Sequence, residues 1–204
     1  MSTIGRTRGS YAKTAARRRE ILDAALEVFS SSGFRSGSIR DIADRVGMSQ
    51  AGVLHHFRSK NELLAQVLQA RDDAAWERMH AGTGLAPVGI DRLRQLIDLV
   101  SFNESVPGQV ELHCVLSAEA TALDHPARPY FQERYRSLVA STGQSFATMS
   151  ENGQLADGVQ PLAAARNLIA LMDGLQVQWL LDRESVSMSD EVRAYLRPLL
   201  TVEL

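Results

Sequence analysis

The side chains best suited to chemistry lie between residues 40 and 60. Arg40 and Lys60 carry positive charge, and Gln50, His55 and His56 supply hydrogen-bond donors and acceptors within one short stretch. Glutamine can pair with the edge of an adenine in the major groove, and cationic or imidazole side chains donate to phosphate oxygens. These residue types therefore favour contact with the bases and phosphates of a nucleic acid.

Two short helices joined by a tight turn are predicted to position these side chains. Ser38 and Asp41 have the spacing of a capping box, which begins the first helix. Gly47 ends that helix, because glycine enters the left-handed conformation at low cost. Ser49 can cap a second helix that runs to about Phe57. This pattern is typical of a helix-turn-helix, which lays its second helix in the major groove of DNA.

The second helix presents small and polar residues on its outer side. Ala51 can touch a thymine methyl group, and Gly52 lets the backbone approach the duplex. Arg40, at the start of the first helix, can reach a base or the DNA backbone. Lys60 begins the next helix, where free N–H groups and the helix dipole favour a phosphate.

The net charge of −2 conceals two oppositely charged parts of the chain. The first sixty residues hold eleven Lys/Arg and five Asp/Glu, a net charge of +6. The remaining 144 residues hold eleven Lys/Arg and nineteen Asp/Glu, a net charge of −8. A basic segment joined to an acidic body indicates that the first part contacts a polyanion.

The charge pattern and the motif together suggest three regions. We expect a flexible basic arm over residues 1–16, a helix-turn-helix domain over 17–62 and a separate helical domain over 63–204. Basic residues at the start of the chain can follow phosphates or enter the minor groove. The alternative is a solvated, disordered tail. These basic residues are Arg6, Arg8, Lys13, Arg17, Arg18 and Arg19.

The rest of the chain also has helical patterns. An apolar stripe from Ile21 to Phe29 predicts a long first helix that ends at Gly33, and a helix from about 60 to 82 follows the motif. Glycine and proline clusters divide the remainder into helices predicted near 90–104, 109–122, 127–151, 161–182 and 189–203. The predicted fold is all-α: an N-terminal three-helix helix-turn-helix domain, then a C-terminal helical bundle.

The motif region resembles a known family. The residues SIRDIADRVGMS at 38–49 and VLHHFRSKNELL at 53–64 resemble the DNA-binding domain of the TetR family of bacterial transcriptional regulators. The resemblance extends over about fifty residues, with Ile21–Phe34 as the family's first helix. The remainder resembles the family in length, in helix count and in the segment DGLQ at 173–176.

The resemblance implies a ligand-responsive transcriptional regulator, most simply a repressor. Such a protein binds a palindromic double-stranded DNA operator as a homodimer and is released by a small, largely apolar effector. Leu54 stands where the family commonly has a tyrosine that contacts the DNA backbone. Either His55 and His56 take over that phosphate contact, or anchoring to the DNA backbone is weaker and depends more on the basic arm. Contact roles carry over to Arg40, Ser49, Gln50, Ala51, Gly52, His56 and Lys60, and His55 is a further candidate.

A second group of residues is predicted to line an effector cavity in the C-terminal helices. They are aromatic, soft or mildly polar, which suits an apolar small molecule with a few polar groups. For each of them, burial in an ordinary core is the alternative. The group comprises Trp76, Met79, His80, Phe102, His113, Leu116, Tyr130, Phe131, Met172, Gln176 and Trp179.

The helix predicted at 161–182 is apolar on two faces, so it must be buried on two sides. We expect one face to pack against a partner subunit, because Gly174 permits close approach there. The expected dimer residues are Ala170, Gly174, Val177, Leu181, Val192, Leu196 and Leu199.

Other functions are disfavoured. No stretch approaches the roughly 20 apolar residues of a membrane span, and the single cysteine, Cys114, favours a reducing, cytoplasmic location. The adjacent pair His55-His56 lacks metal-ligand spacing, and Glu111, His113 and Cys114 lack a second cysteine or a metal-spaced histidine pair. No metal, cofactor or catalytic residue is therefore predicted. A DNA-binding protein without sequence preference and an α-helical enzyme remain the alternatives.

Overall fold

The computed structural model describes the backbone of residues 5–80 and 87–204, and the side chains of 12–78 and 87–204. The described residues fold into helices and form no sheet; one isolated bridge joins Leu155 to Leu200. In this described part the predicted all-α class is confirmed. The helices are α1 Gly5–Ser36, α2 Ile39–Arg45, α3 Gln50–His56, α4 Lys60–His80, α5 Ile90–Glu104, α6 Pro107–Glu119, α7 Arg128–Glu151, α8 Pro161–Leu181 and α9 Met188–Leu196, with a 3₁₀ turn at Arg197–Leu199.

Local capping determines where α2 begins and ends. The Ser38 hydroxyl accepts from the Asp41 amide at 3.1 Å, and the Asp41 carboxylate accepts from the Ser38 amide at 3.1 Å, so the predicted capping box is present. At the other end Gly47 has φ 63°, and the Met48 amide donates to the Ala43 carbonyl at 2.9 Å. This is a Schellman ending, which turns the chain sharply into α3.

The first helix begins within the segment that the sequence predicts to be a flexible basic arm. Helix α1 begins at Gly5, so residues 5–16 are helical; residues 1–4 of the expected arm lie outside the described part. Residues 10–32 contain no glycine or proline and several good helix formers, which lets the helix extend outward from its packed part. Gly33, at φ 73° and ψ 176°, interrupts it where the sequence predicts an end.

Two other helices have boundaries that differ from the prediction, in each case because of a proline. Helix α6 starts at Pro107, two residues before its predicted start, because proline at the first helical position lacks only an N–H that would be unpaired there. Helix α9 ends at Leu196 rather than near 203, because Pro198 cannot continue the hydrogen-bond pattern.

A first hydrophobic core joins the helix-turn-helix to α4 and α6. Phe29, Ile42, Val53 and Phe57 are fully or almost fully buried in it. The core continues past the predicted domain boundary at residue 62, since the start of α4 belongs to it. Other members are Leu63, Leu64, Val67, Leu68, Leu112 and Leu116.

A second core lies among α5, α7, α8 and α9. Val192 and Leu196 of α9 are fully buried in it, which removes them from any surface that a partner subunit could contact. The prediction that these two residues form a dimer interface is therefore wrong. Leu199 is half-buried and packs against the same core. Helix α6 contributes to both cores, with Leu112 in the first and Val110 in the second.

Candidate DNA interface and ligand cavity

Helix α3 is held against α1 by burial and by one arginine. Val53 and Phe57 have no exposed surface. The Arg18 guanidinium lies 4.2 Å from the centre of the Phe57 ring and donates to the His56 carbonyl at the end of α3. Arg17 donates to Glu20 at 2.6 Å and to the Val46 carbonyl at 3.5 Å. Arg17 and Arg18, for which the sequence suggests phosphate contact, thus stabilise the helix-turn-helix by contacts to the ends of α2 and α3.

The outer face of α3 is formed by residues that lie next to one another on the helix surface. Gln50, Ala51, Leu54 and His55 are exposed. Leu54 is 41% exposed, so an apolar side chain projects where the family resemblance leads one to expect a tyrosine. His56 is half-buried, and desolvation followed by repulsion from His55 lowers its pKa. The lowered pKa favours the uncharged imidazole at neutral pH.

The start of α3 uses two of the predicted contact residues for its own folding. The Ser49 hydroxyl accepts from the Gly52 amide at 3.1 Å, which leaves the hydroxyl proton free for a base or phosphate. A Cβ on Gly52 would lie 3.0 Å from the Met48 terminal methyl carbon. The absence of a side chain at Gly52 therefore leaves space for the Met48 side chain against α3.

The two cations that flank α3 have different surroundings. The Arg40 guanidinium is exposed and lies 3.8 Å from the Asp44 carboxylate. The Lys60 ammonium lies 4.4 Å from the centre of the Phe34 ring and donates to the Arg35 carbonyl at 3.4 Å. Partial burial lowers the pKa of Lys60. Lys60 thus links α4 to the segment Gly33–Ser36, which follows the break of α1 at Gly33 and is called the turn after α1 below, and it keeps further N–H donors for a phosphate.

A cavity of about 450 Å³ opens between α4, α5, α6, α7 and α8. Phe102, His113, Met172 and Gln176 line it, as the sequence analysis predicts for an effector cavity. The rest of the lining is formed by Arg71, Ala74, Ala75, Glu77, Arg78, Leu96, Leu99, Asn103, Gln109, Arg134, Tyr135, Leu138, Ile169 and Asp173.

Other residues predicted for the cavity lie elsewhere. Leu116 is buried in the first core, where Phe131 and Tyr130 also pack, and Trp179 is buried in the second core. Trp76 is 56% exposed and does not line the cavity. These corrections have one reason: the apolar faces of α6, α7 and α8 are divided between the cores and the cavity. The side chains predicted at positions 79 and 80, Met79 and His80, lie outside the described residues.

One wall of the cavity is a hydrogen-bonded polar chain. The Tyr135 hydroxyl donates to Asp173 Oδ2 at 2.7 Å, and His113 Nε2 lies 3.1 Å from Asp173 Oδ1. Burial lowers the pKa of His113, and burial together with the Asp173 carboxylate raises the pKa of Tyr135. Both partners of the carboxylate are therefore uncharged donors at neutral pH.

A second wall holds two arginines that sequence reasoning missed. Arg134 Nη1 donates to Asp72 Oδ1 at 2.8 Å, and Arg71 Nη1 lies 3.9 Å from the same oxygen. Burial and the nearby Arg134 charge lower the pKa of Arg71. The sequence held a signal for Arg71, which follows Val67 by four residues and Leu68 by three, and so interrupts the apolar face of α4.

Groups that could suggest catalysis are inert in this setting. Burial raises the pKa of the Cys114 thiol to about 11, and the nearest polar partner of its sulfur is Gln176 Oε1 at 4.0 Å. The thiol is thus protonated and lacks an adjacent base. Among the described side chains, those of residues 12–78 and 87–204, no cluster of His, Cys, Asp and Glu could hold a metal ion. Within residues 5–80 and 87–204, no helix is long and apolar enough to cross a membrane.

A helix-turn-helix with an exposed recognition face, joined to a helical domain with a cavity, defines a ligand-binding transcriptional regulator. Family models agree: residues 21–67 match the model described as "Bacterial regulatory proteins, tetR family", and residues 89–202 match "BetI-type transcriptional repressor, C-terminal". The chain belongs to the TetR family of transcriptional regulators and is not an enzyme.

Similar proteins carry the same description. The transcriptional regulator BetI of Escherichia coli K12 is 30% identical over 183 residues, which cover 87% of this chain and 88% of BetI. A regulator from Saccharomonospora viridis, solved in complex with choline, has a TM-score of 0.76 at 23% identity and covers 92% of this chain and 100% of its own. The complex of SmeT with triclosan has a TM-score of 0.72 at 22% identity, covering 91% and 92%. At these identities the two structures support the fold alone.

Proposed function

We propose that the chain is a cytoplasmic repressor that binds a palindromic operator as a homodimer and leaves it when a small molecule occupies the cavity. The observation that carries this proposal is that one chain combines the exposed α3 face with the 450 Å³ cavity. In this proposal Gln50 and Ala51 contact base edges, and Arg40, Ser49, Gly52, His55, His56 and Lys60 contact bases or the DNA backbone.

The outer surface of α8 supports dimerisation. Val177 and Leu181 are 48% and 82% exposed, and Ala170 and Gly174 lie on the same side of the helix. A Cβ on Gly174 would meet no atom within 4 Å, so a partner helix has room to approach. One recognition helix contacts few base pairs, whereas a twofold pair reads half-sites about 34–36 Å apart. A dimer therefore gives the DNA contact that a single subunit lacks.

Two helices connect the cavity to the DNA-facing part. Helix α4 is about 30 Å long; it begins at Lys60, and its second half carries the cavity residues from Arg71 to Arg78. Helix α6 has His113 in the cavity wall and Glu119 at its other end. A ligand that binds better to one arrangement of these helices shifts the population of dimers away from the DNA-binding spacing.

The Glu119 carboxylate holds the turn that follows α1. It accepts from the Phe34 amide at 2.7 Å and from the Arg35 amide at 3.4 Å, and His125 Nε2 lies 3.3 Å from it. Lys60 contacts the same turn from the side of α4. Two of the helices that line the cavity, α4 and α6, thus hold the segment Gly33–Ser36, which supports transmission of ligand binding to the motif.

The proposal is tested by fluorescence anisotropy with DNA that flanks the gene and with random DNA of equal length. We expect binding at least about a thousandfold tighter to a flanking inverted repeat than to random DNA. Gln50→Ala should change the sequence preference, because a lost base contact affects only sequences that carry its base. Equal affinity for both DNAs would favour a protein without sequence preference. An equal loss on every sequence would remove Gln50 from base contact.

A further inference from the structure

The Arg71 guanidinium is a buried cation whose Nε has no hydrogen-bond partner among the described residues, and its polar neighbours are the Asp72 carboxylate and the neutral Tyr130 hydroxyl. Its side chain is 10% exposed, and its nearest carboxylate oxygen, in Asp72, is 3.9 Å away and already accepts from Arg134 at 2.8 Å. A guanidinium has five donors and no acceptor, and burying it without acceptors is unfavourable. Arg71 also lines the cavity. The ligand space is therefore where its missing acceptor can be supplied.

The other acid in this part of the cavity already has its own donors. Both Asp173 oxygens are engaged, one by the Tyr135 hydroxyl at 2.7 Å and the other by His113 at 3.1 Å. Asp173 forms no ion pair with Arg71 within 4.0 Å. The two arginines thus share the single carboxylate of Asp72. An anionic acceptor from the ligand would complete this arrangement.

The geometry disfavours a quaternary ammonium as the ligand's head group. Such a group is bound by open aromatic faces. The Arg78 guanidinium covers the ring of Phe102 at 3.6 Å from its centre, so that face is taken by a cation of the protein itself. Arg71 and Arg134 add positive charge to the same space. A ligand cation would meet three arginines there, and of the two carboxylates in the lining, Asp173 is already engaged by Tyr135 and His113 and Glu77 is exposed.

We propose that the effector has a carboxylate that pairs with the Arg71 guanidinium and an apolar body that packs against Leu99, Ile169 and Met172. Carboxylate matches the planar, two-donor edge of arginine better than any single-point acceptor. The apolar residues lie in the same lining. This inference rests on the proposed function, because it names the chemical class of the molecule that occupies the cavity.

The test measures binding to the purified full-length chain by isothermal titration calorimetry. The probes are 4-phenylbutyrate, octanoate and indole-3-propionate, each with its amide and its amine, and choline. We expect at least one carboxylate to bind about tenfold or more tightly than its own amide, and every amine and choline to bind more weakly than that carboxylate. The inference is overturned if no carboxylate exceeds its amide, or if an amine or choline binds most tightly.

Variants locate the effect at Arg71. Arg71→Met should remove the preference for carboxylate over amide, and Arg94→Met, which changes an exposed arginine paired with Asp91, should keep it. Arg71→Lys retains the positive charge but not the planar, two-donor guanidinium, so it should lose part of the preference for carboxylate over amide. If Arg71→Met fails to fold, Arg71→Lys provides the test. A preference that survives in Arg71→Met, or in full in Arg71→Lys, overturns the inference.

DNA binding measured in parallel separates this inference from the proposed function. Sequence-specific DNA binding by a chain that does not prefer carboxylates contradicts only the assignment of the ligand class. A carboxylate preference in a chain that binds all DNA equally contradicts only the repressor function.

Discussion

The Lys60 ammonium lies where the DNA-facing surface meets the turn after α1. It contacts the Phe34 ring and the Arg35 carbonyl, yet an ammonium has three donors, so a phosphate can still bind it. We expect Lys60→Ala to weaken binding to all DNA sequences and to reduce the slope of log affinity against log salt by about one unit.

The measurement for Lys60→Ala is a salt titration of DNA affinity, accompanied by thermal unfolding of the same variant. Loss of the contact with Phe34 also lowers the unfolding temperature somewhat. A lower unfolding temperature with an unchanged salt slope would show that Lys60 acts only within the protein, and Arg40 would then be the remaining arginine or lysine among the proposed contact residues.

At the scale of elements, the turn between α2 and α3 depends on one glycine. Gly47 has φ 63°, and a Cβ there would meet no atom within 4 Å, so Gly47→Ala introduces backbone strain without a clash. We expect it to lower the free energy of unfolding by about 1–2 kcal/mol. Since the turn sets the angle of α3, DNA affinity should fall as well.

Gly153 provides a matched control for this turn. It has φ 66°, equally open space and a position in the C-terminal domain after α7. Gly153→Ala should destabilise the chain by a similar amount in chemical denaturation and leave DNA affinity unchanged. Equal DNA binding by both variants would mean that the turn tolerates alanine without moving α3.

The helix boundaries were largely predictable because their signals are local. Capping serines, positive-φ glycines and prolines act within a few residues of a helix end, so the predicted bounds of α5 agree with the structure and those of α2, α3, α7 and α8 differ by at most about a residue. The exceptions are α1, α6 and α9. Helix α6 runs from Pro107 to Glu119 rather than from 109 to 122, and α9 ends at Leu196 rather than near 203. The first turns of α1 depend on continuation from a packed part, and the basic composition of residues 5–16 suggested an arm instead.

The cavity was only partly predictable, because its membership depends on which helix faces which. Phe102 and Trp179 are both aromatic residues on apolar helix faces, yet packing leaves one at the cavity and buries the other in the second core. Leu116 lies only three residues after His113 but points into the first core. The periodicity of apolar residues shows which face of a helix is turned inward. It does not show whether that face contacts a core or a cavity.

At the scale of the whole molecule, the proposed dimer depends on the exposed stripe of α8. Because Val177 and Leu181 are exposed, replacing both by lysine should leave the fold and unfolding temperature nearly unchanged. We expect the double variant to be monomeric in light scattering and to lose DNA binding, since lysines would face each other across a twofold interface.

Leu123→Lys is the control for this dimer test. Leu123 is 86% exposed and lies in the loop between α6 and α7, away from α8, so its substitution should leave the molecular mass in solution unchanged. A dimer that persists in the α8 double variant would place the interface on another surface.

Transmission from cavity to DNA should depend on Glu119, which holds the turn Gly33–Ser36 from α6. Glu119→Ala leaves the Phe34 and Arg35 amides without their acceptor and should lower the free energy of unfolding by about 1–3 kcal/mol. Because Glu119 does not line the cavity, ligand affinity should remain unchanged. The loss of DNA affinity on saturation with ligand should become smaller than in the unaltered chain.

This expectation is tested by measuring the affinity for ligand, and by measuring the affinity for DNA with and without ligand. The ratio of the two DNA affinities gives the coupling between the cavity and the DNA interface. Glu133→Ala, which removes an exposed carboxylate paired with Arg136 on α7, should keep the full ligand response. If Glu119→Ala also keeps it, the signal passes through α4 alone. In that case the contact of Lys60 with the turn would be sufficient, and α6 would serve only to pack the two domains together.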